Sequence, residues 1–149
     1  PDRLDGTSGV EVVRFEGDMK NEASFVLAGP TILRLPPRQQ TTVTQTCSVT
    51  ADQTVFGLIP LMHNLGVHFK TTVTQGAESV VLYDAPALGE DQPQVPIAPV
   101  ALHAGDSITT ECTYDNETYS WITAGHDGGE MCFSALLRFP TSATIDCQM

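Results

Sequence analysis

The sequence predicts an all-β domain: an antiparallel, jelly-roll-like β-sandwich with two disulfides. Segments rich in Val, Ile, Thr and aromatic residues recur along the chain, and Gly or Pro bounds most of them. No stretch keeps apolar residues at helical spacing over three turns. The four cysteines include no Cys-x-x-Cys pair, which favours two disulfides over a zinc site. Short strands separated by turns in this way are typical of a sandwich.

The same residue preferences predict where the individual strands and loops lie. A buried strand running into a turn is predicted at Leu58–Leu65, which lies between two glycines. The four prolines of Asp84–Pro99 predict a long irregular surface loop, because proline is excluded from central strands. We find no repeat or internal boundary, so residues 1–149 are predicted to form a single domain. The other predicted strands are Val10–Phe15, Gln40–Ser48, Phe69–Gln75, Ser79–Tyr83, Ser107–Tyr114 and Cys132–Phe139.

Charge and composition exclude several partners. The net charge is −11 and only seven residues are Lys or Arg, so the phosphate backbone of a nucleic acid would repel the chain. No apolar run approaches the ~20 residues that span a bilayer. The sequence begins at Pro1 without an initiator Met, as expected of a processed or excised segment. Because disulfides persist in oxidising compartments, we expect a secreted, periplasmic or cell-surface protein.

Candidate chemistry is confined to a few His and Met residues. The sequence holds no Gly-x-Ser-x-Gly elbow and no phosphate-binding glycine motif, so it gives no support to a serine hydrolase or a nucleotide-binding protein. His63 and His68 flank Gly66, while His126 and Met131 share a Gly-rich stretch. Imidazole and thioether ligands together suit copper in both of its oxidation states. The alternative is a hydrogen-bonded His63 and a Met131 packed in the core.

Several motifs, in order, resemble the copper type II ascorbate-dependent monooxygenases, the family of peptidylglycine α-hydroxylating and dopamine β-monooxygenases. The resemblance covers essentially the whole chain and is to the C-terminal, methionine-ligated copper domain. It implies that a His-x-His-x-x-Gly segment supplies two copper ligands and a Glu-Met-Cys segment a third. The segments that carry it are Asp5–Val10, Leu35–Pro37, Pro60–Gly66, Gly105–Asn116 and Glu130–Cys132.

The chain departs from the family pattern at one ligand. Carried over by position, the two histidines correspond to Leu61 and His63, and leucine cannot bind a metal. His63 and Met131 are therefore the predicted metal ligands, with His126 or His68 as possible substitutes for the missing one. The resemblance also implies that Cys47 pairs with Cys147 and Cys112 with Cys132. The last bridge adjoins Met131 and would hold its backbone in place.

The resemblance, together with the leucine at position 61 where the family has a histidine ligand, leaves three candidate functions. The first is an extracytoplasmic interaction or structural domain with a degenerate copper site, bound to a protein partner. The second is the catalytic half of a two-domain monooxygenase that uses copper, O2 and ascorbate together with a missing N-terminal copper domain. The third is a copper carrier without turnover. Without the other domain and one ligand, we do not expect the chain alone to hydroxylate carbon.

Overall fold

The computed structural model describes residues 9–14, 16–86, 92–125, 128–141 and 145–147. These residues form strands and turns and no helix, and none of them makes a helical segment suited to crossing a membrane. The strands are β1 (Ser24–Ala28), β2 (Arg34–Leu35), β3 (Gln39–Val49), β4 (Gln53–Leu61), β5 (Gly66–Gln75), β6 (Glu78–Pro86), β7 (Val95–Leu102), β8 (Ser107–Asn116), β9 (Ile122–Thr123), β10 (Phe133–Phe139) and β11 (Ile145–Asp146).

The strands make two main sheets and one small one. The four-stranded sheet has the order β1-β10-β4-β7 and the five-stranded sheet the order β11-β3-β8-β5-β6, while β2 pairs with β9 alone. Every pairing between these strands is antiparallel. The predicted all-β sandwich is thereby confirmed.

The main core lies between the two large sheets. Along β8, burial alternates residue by residue, so that Ile108 and every second residue after it point inward. Val55, Leu58 and Leu136 point inward from the four-stranded sheet and join Ile108 and Val73 in one buried apolar cluster. Removing these side chains from water is the main force that holds the two sheets together.

A second apolar cluster lies at the end of the sandwich beneath β2 and β9. Leu35, Met62, Phe69 and Tyr114 are fully buried or nearly so there, and Leu33 packs with them. Phe69 also meets Tyr83 edge to face, with 6.1 Å between ring centroids. This cluster supports the chain where it leaves β4 and where it enters β10, and those two places hold the predicted metal ligands.

Two disulfides form with the pairing that the family resemblance implies. Cys47 of β3 bonds Cys147, and Cys112 of β8 bonds Cys132 just before β10. The first disulfide joins residues 100 positions apart and ties the C-terminal end of the described chain to β3 of the five-stranded sheet. The second joins residues 20 positions apart and links β8 of the five-stranded sheet to the segment that enters β10 of the four-stranded sheet. The described residues contain no free cysteine.

Two local predictions were wrong. Residues 9–14 form no strand: Val10 is 90% exposed and Val12 84% exposed, so no neighbouring strand completes their hydrogen bonds. Phe15, at the end of that predicted strand, lies outside the described residues. The predicted loop Asp84–Pro99 is instead partly strand, since β6 runs to Pro86 and β7 begins at Val95. β7 tolerates its prolines because it is an edge strand, with one side free of ladder hydrogen bonds.

Candidate functional site

The candidate site begins where β4 ends. Leu61 is the last residue of β4, and Met62 turns inward and is 1% exposed. The chain then reverses in a turn closed by a hydrogen bond of 3.1 Å from the Gly66 amide to the His63 carbonyl. A Cβ at Gly66 would lie 2.7 Å from the terminal carbon of Met62, so a larger residue here would have to displace that buried side chain.

A buried carboxylate holds this turn. Glu130 is 2% exposed, and its two oxygens accept the backbone N–H groups of His63 at 2.9 Å and Leu65 at 2.8 Å. No Lys or Arg forms an ion pair with Glu130 in the part of the chain that the structure describes. The two amides therefore take the place of a cation, and they fix the turn to the residue that immediately precedes Met131.

The ring of His63 is oriented by a single carbonyl. Its Nδ1 lies 2.8 Å from the backbone oxygen of Gly129. A carbonyl can only accept, so Nδ1 carries the proton and Nε2 of the neutral ring keeps its lone pair. The side chain lines a pocket of about 480 Å³, the His63 pocket, whose other lining residues include Asn64, Gln92 and Thr118. A histidine held in this way is prepared to bind a metal or accept a proton through Nε2.

Met131 is fixed through its backbone rather than its side chain. The Tyr114 hydroxyl donates to the Met131 carbonyl at 2.6 Å, and the next residue, Cys132, is disulfide-bonded. Burial, and secondarily the charge of Glu130, raise the pKa of Tyr114 well above its ordinary range. The hydroxyl therefore keeps its proton and remains a donor at all ordinary pH values.

The side chain of Met131 faces a second pocket, in apolar surroundings. This pocket, the Met131 pocket, has a volume of about 350 Å³ and is lined by Leu61, Leu33, Leu27 and Phe133 among others. Leu61 and Met131 therefore line the same pocket. His63 lines only the neighbouring pocket, and Glu130 contributes to both. That His63 and Met131 share one copper ion stays a prediction.

Of the two possible substitute histidines, only His68 lies within the described residues, and it is paired with an acidic side chain. Nε2 of His68 lies 2.8 Å from an Asp84 oxygen, which Lys70 also approaches at 3.5 Å. His68 points away from the core, because its neighbour Phe69 is fully buried, and it lines neither pocket. His126 lies outside the described residues.

The described residues do not fit a three-ligand copper site. No group of three or more His, Cys, Asp or Glu residues is gathered there for a metal. Leu61, which lines the Met131 pocket, has no donor atom, and most of the other residues around that pocket are apolar. Copper in proteins is held by imidazole and sulfur donors, so one thioether in an apolar pocket is an incomplete set.

Sequence reasoning missed two residues that build the site. Glu130 belongs to the Glu-Met-Cys segment, yet nothing in the sequence showed that its carboxylate reaches across to the turn after β4. Tyr114 belongs to the Cys112–Asn116 segment, and its contact with Met131 depends on β8 facing β10 across the core. Only the motifs to which they belong could have marked these residues.

Comparison with known proteins identifies a domain family. Residues 22–149 match the family model described as copper type II ascorbate-dependent monooxygenase, C-terminal domain. No curated protein matches the sequence. A solved structure of infectious bursal disease virus, Gx strain, is similar over 87% of this chain at 12% identity and a TM-score of 0.33. This chain spans only 35% of the length of that one.

Proposed function

Because the chain belongs to the copper type II ascorbate-dependent monooxygenase C-terminal domain family, we propose that it is an interaction or structural domain of that family whose copper site is degenerate. The observation that carries the proposal is the apolar pocket shared by Leu61 and Met131. A side chain without a donor atom stands beside the thioether, and the imidazole of His63 lines the other pocket.

The two disulfides support a location outside the cytoplasm. Bonds of this kind persist in secreted proteins, in the periplasm and on cell surfaces, and they are rare where thiols are kept reduced. The acidic composition adds solubility in such a compartment and disfavours nucleic acid as a partner. We propose that the partner is another protein surface.

A second candidate is the catalytic half of a two-domain copper monooxygenase. It is favoured by the hydrogen bond from His63 Nδ1–H to the Gly129 carbonyl, the orientation seen in metal-binding histidines. The contact from Tyr114 and the Cys112–Cys132 disulfide likewise fix the backbone at Met131. On this reading His63 and Met131 would hold copper, which supplies O2 chemistry in the family, and the partner would be an N-terminal copper domain. A copper carrier would use the same two residues without turnover.

Copper titration of the oxidised chain separates these functions. We would titrate Cu(I) and Cu(II) into the protein and into the His63→Ala and Met131→Ala variants. The degenerate-site proposal expects no stoichiometric binding above that of the two variants. One copper per chain, lost in both variants, would contradict it and favour the catalytic half or the carrier.

Restoring the missing ligand sharpens that test. Leu61→His places an imidazole in the Met131 pocket, and we expect it to raise copper affinity at least tenfold, about 1.4 kcal/mol. Leu61→Ala is the matched control, because it opens the same pocket without adding a donor. Equal copper affinity in the two variants would show that more than this ligand has been lost.

A further inference from the structure

Buried polar atoms without partners gather at the end of the four-stranded sheet that lies opposite the candidate site. They are the Oγ of Ser24, the Nε of Arg138, and the Nε2 and Oε1 of Gln53, and none of them has a hydrogen-bond partner within the described residues. Among those residues only one other buried side-chain atom, the Oγ1 of Thr41, lacks a partner. Buried polar groups are almost always hydrogen-bonded, so this concentration at one place requires a physical explanation.

The strand register brings the three side chains together. Ser24 of β1 lies directly opposite Arg138 of β10. Arg138 lies opposite Val55 of β4, and Gln53 comes two residues before Val55 on that strand. Val55 belongs to the core between the large sheets, so the three polar side chains project inward with it. Side chains directly opposite one another start about 5 Å apart and diagonal neighbours about 7–8 Å apart, so one small ligand can touch all three. We define Ser24, Arg138 and Gln53 as the polar row.

Arg138 is a buried cation without a counter-charge. It is the only charged residue in the four strands of this sheet, and it is 6% exposed. Its two terminal nitrogens donate to the carbonyls of Pro140 and Thr141 at 2.7 and 3.3 Å. Among the residues that the structure describes, no carboxylate forms an ion pair with it. Burying a charge is costly unless an opposite charge compensates it, and the two carbonyls leave the positive charge in place.

Gln53 connects the polar row to a cavity. Its side chain is 4% exposed, yet it lines a cavity of about 250 Å³ whose other walls include Asp52, His103 and Pro140. One water molecule takes up about 30 Å³ in the liquid, so the cavity has room for a small hydrated ion. The carboxylate of Asp52 lies 3.4 Å from the ring of His103, and both side chains are mostly exposed. This acidic group is therefore directed to solvent rather than to the polar row.

We propose that the polar row binds a small monovalent anion of the size of chloride. The Nε–H of Arg138, the amide N–H of Gln53 and the hydroxyl of Ser24 are the donors that would hold it. Water can accept the same hydrogen bonds, but only an anion also neutralises the guanidinium. Water in the cavity can donate to the remaining Oε1 of Gln53.

The net charge of −11 does not prevent an anion from binding here. Exposed charges are screened over about 10 Å at about 0.1 M salt, whereas the contact with the buried guanidinium is direct and little screened. The polar row shares no residue with the proposed copper site and lies at the other end of β4 from Leu61. The anion site therefore goes beyond the proposed function and does not depend on it.

Unfolding of the full chain in two sodium salts tests the proposal. We would compare urea unfolding in about 0.1 M sodium chloride and in sodium gluconate of equal ionic strength, because gluconate is too bulky for the polar row. With a dissociation constant of about 10 mM, chloride lowers the unfolding equilibrium constant about tenfold, or about 1.4 kcal/mol. The line width of the chlorine NMR signal measures binding directly, since exchange with a bound ion broadens it.

Variants distinguish the polar row from general salt effects. Arg138→Met removes the charge and should abolish the line broadening. Gln53→Met keeps the length of the side chain while removing the buried amide, so it should fold normally and weaken chloride binding at least fivefold. Thr41→Val is the matched control: it removes the remaining unpartnered atom, on β3 opposite Tyr114 at the other end of the sandwich, and chloride binding should be unchanged.

Either of two results would overturn the proposal. One is equal stability of the wild-type chain in the two salts, as expected if water alone completes the hydrogen bonds. The other is chlorine line broadening that is no greater for the wild-type chain than for Arg138→Met and Gln53→Met, which would exclude the polar row as the binding site. Neither measurement involves copper, so the degenerate-site proposal keeps its own test.

Discussion

The outward faces of the two large sheets differ in what they present to water. On the five-stranded sheet the outward rows are largely threonine, with hydroxyl pairs such as Thr42–Thr113 and Thr46–Thr109 at 2.9 Å, and Asp84 sits between two basic groups. On the four-stranded sheet they are Phe, Leu and Ile. The comparison teaches that the two sheets differ in chemistry: one presents hydroxyl and charged groups to solvent, and the other presents apolar side chains.

The largest expected effect on stability comes from placing an aspartate on the outward face of each large sheet in turn. Leu137→Asp should lower the free energy of unfolding by about 3 kcal/mol, because Leu137 is partly buried against Gly57 and Phe25 and the carboxylate would have no partner. Thr46→Asp, on the five-stranded sheet, should cost only about 1 kcal/mol. Urea unfolding at low protein concentration measures both. Equal losses would remove the distinction between the two faces.

A smaller loss of stability is expected from breaking the row of buried hydroxyl hydrogen bonds that joins the two sheets. Thr110 donates to the Ala28 carbonyl at 2.8 Å, so Ser134 must donate to Thr110, and Thr71 to Ser134. Ser134→Ala leaves the buried Thr71 hydroxyl without an acceptor and should cost about 2 kcal/mol. Ser79→Ala breaks an exposed hydroxyl pair with Thr74 and should change stability by less than about 0.5 kcal/mol. If the two variants unfold at the same urea concentration, these buried hydrogen bonds contribute nothing to the packing of one sheet on the other.

The smallest effect concerns the charges on the five-stranded sheet. The hydrogen bond with His68, helped by the Lys70 ammonium, holds the pKa of Asp84 below its ordinary value. A lowered folded-state pKa stabilises the fold above the unfolded-state value of about 4. That stability is lost as the pH falls through the folded-state pKa.

Asp84→Asn should therefore unfold slightly more easily than wild type at pH 7 and equally at pH values well below 4. Thermal melts at the two pH values, repeated in about 1 M salt, check this, since salt screens exposed charges. A larger difference at low pH than at pH 7 would contradict the assigned sign.

Much of the fold could be predicted because β patterns are local. The strands at β3, β5, β6, β8 and β10 were recognised from Thr- and Val-rich segments bounded by turns. The described part of Val10–Phe15 is also rich in valine but forms no strand, since a strand also needs a neighbour to pair with. The edge position that lets Pro96 and Pro99 sit in β7 was likewise invisible, because sheet order is set by pairing between distant segments.

The sequence by itself determined the fold class, the family and the disulfide pairing that the family implies, and it predicted that Leu61 stands at one ligand position. These depend on residue types and their order along the chain. Only the tertiary structure decided that Leu61 and Met131 share a pocket that His63 does not line, that Glu130 clamps the turn after β4, and that one sheet face carries no charge. The physical reason is distance in sequence: Glu130 and His63 are 67 residues apart, and only the packing of the strands brings them together.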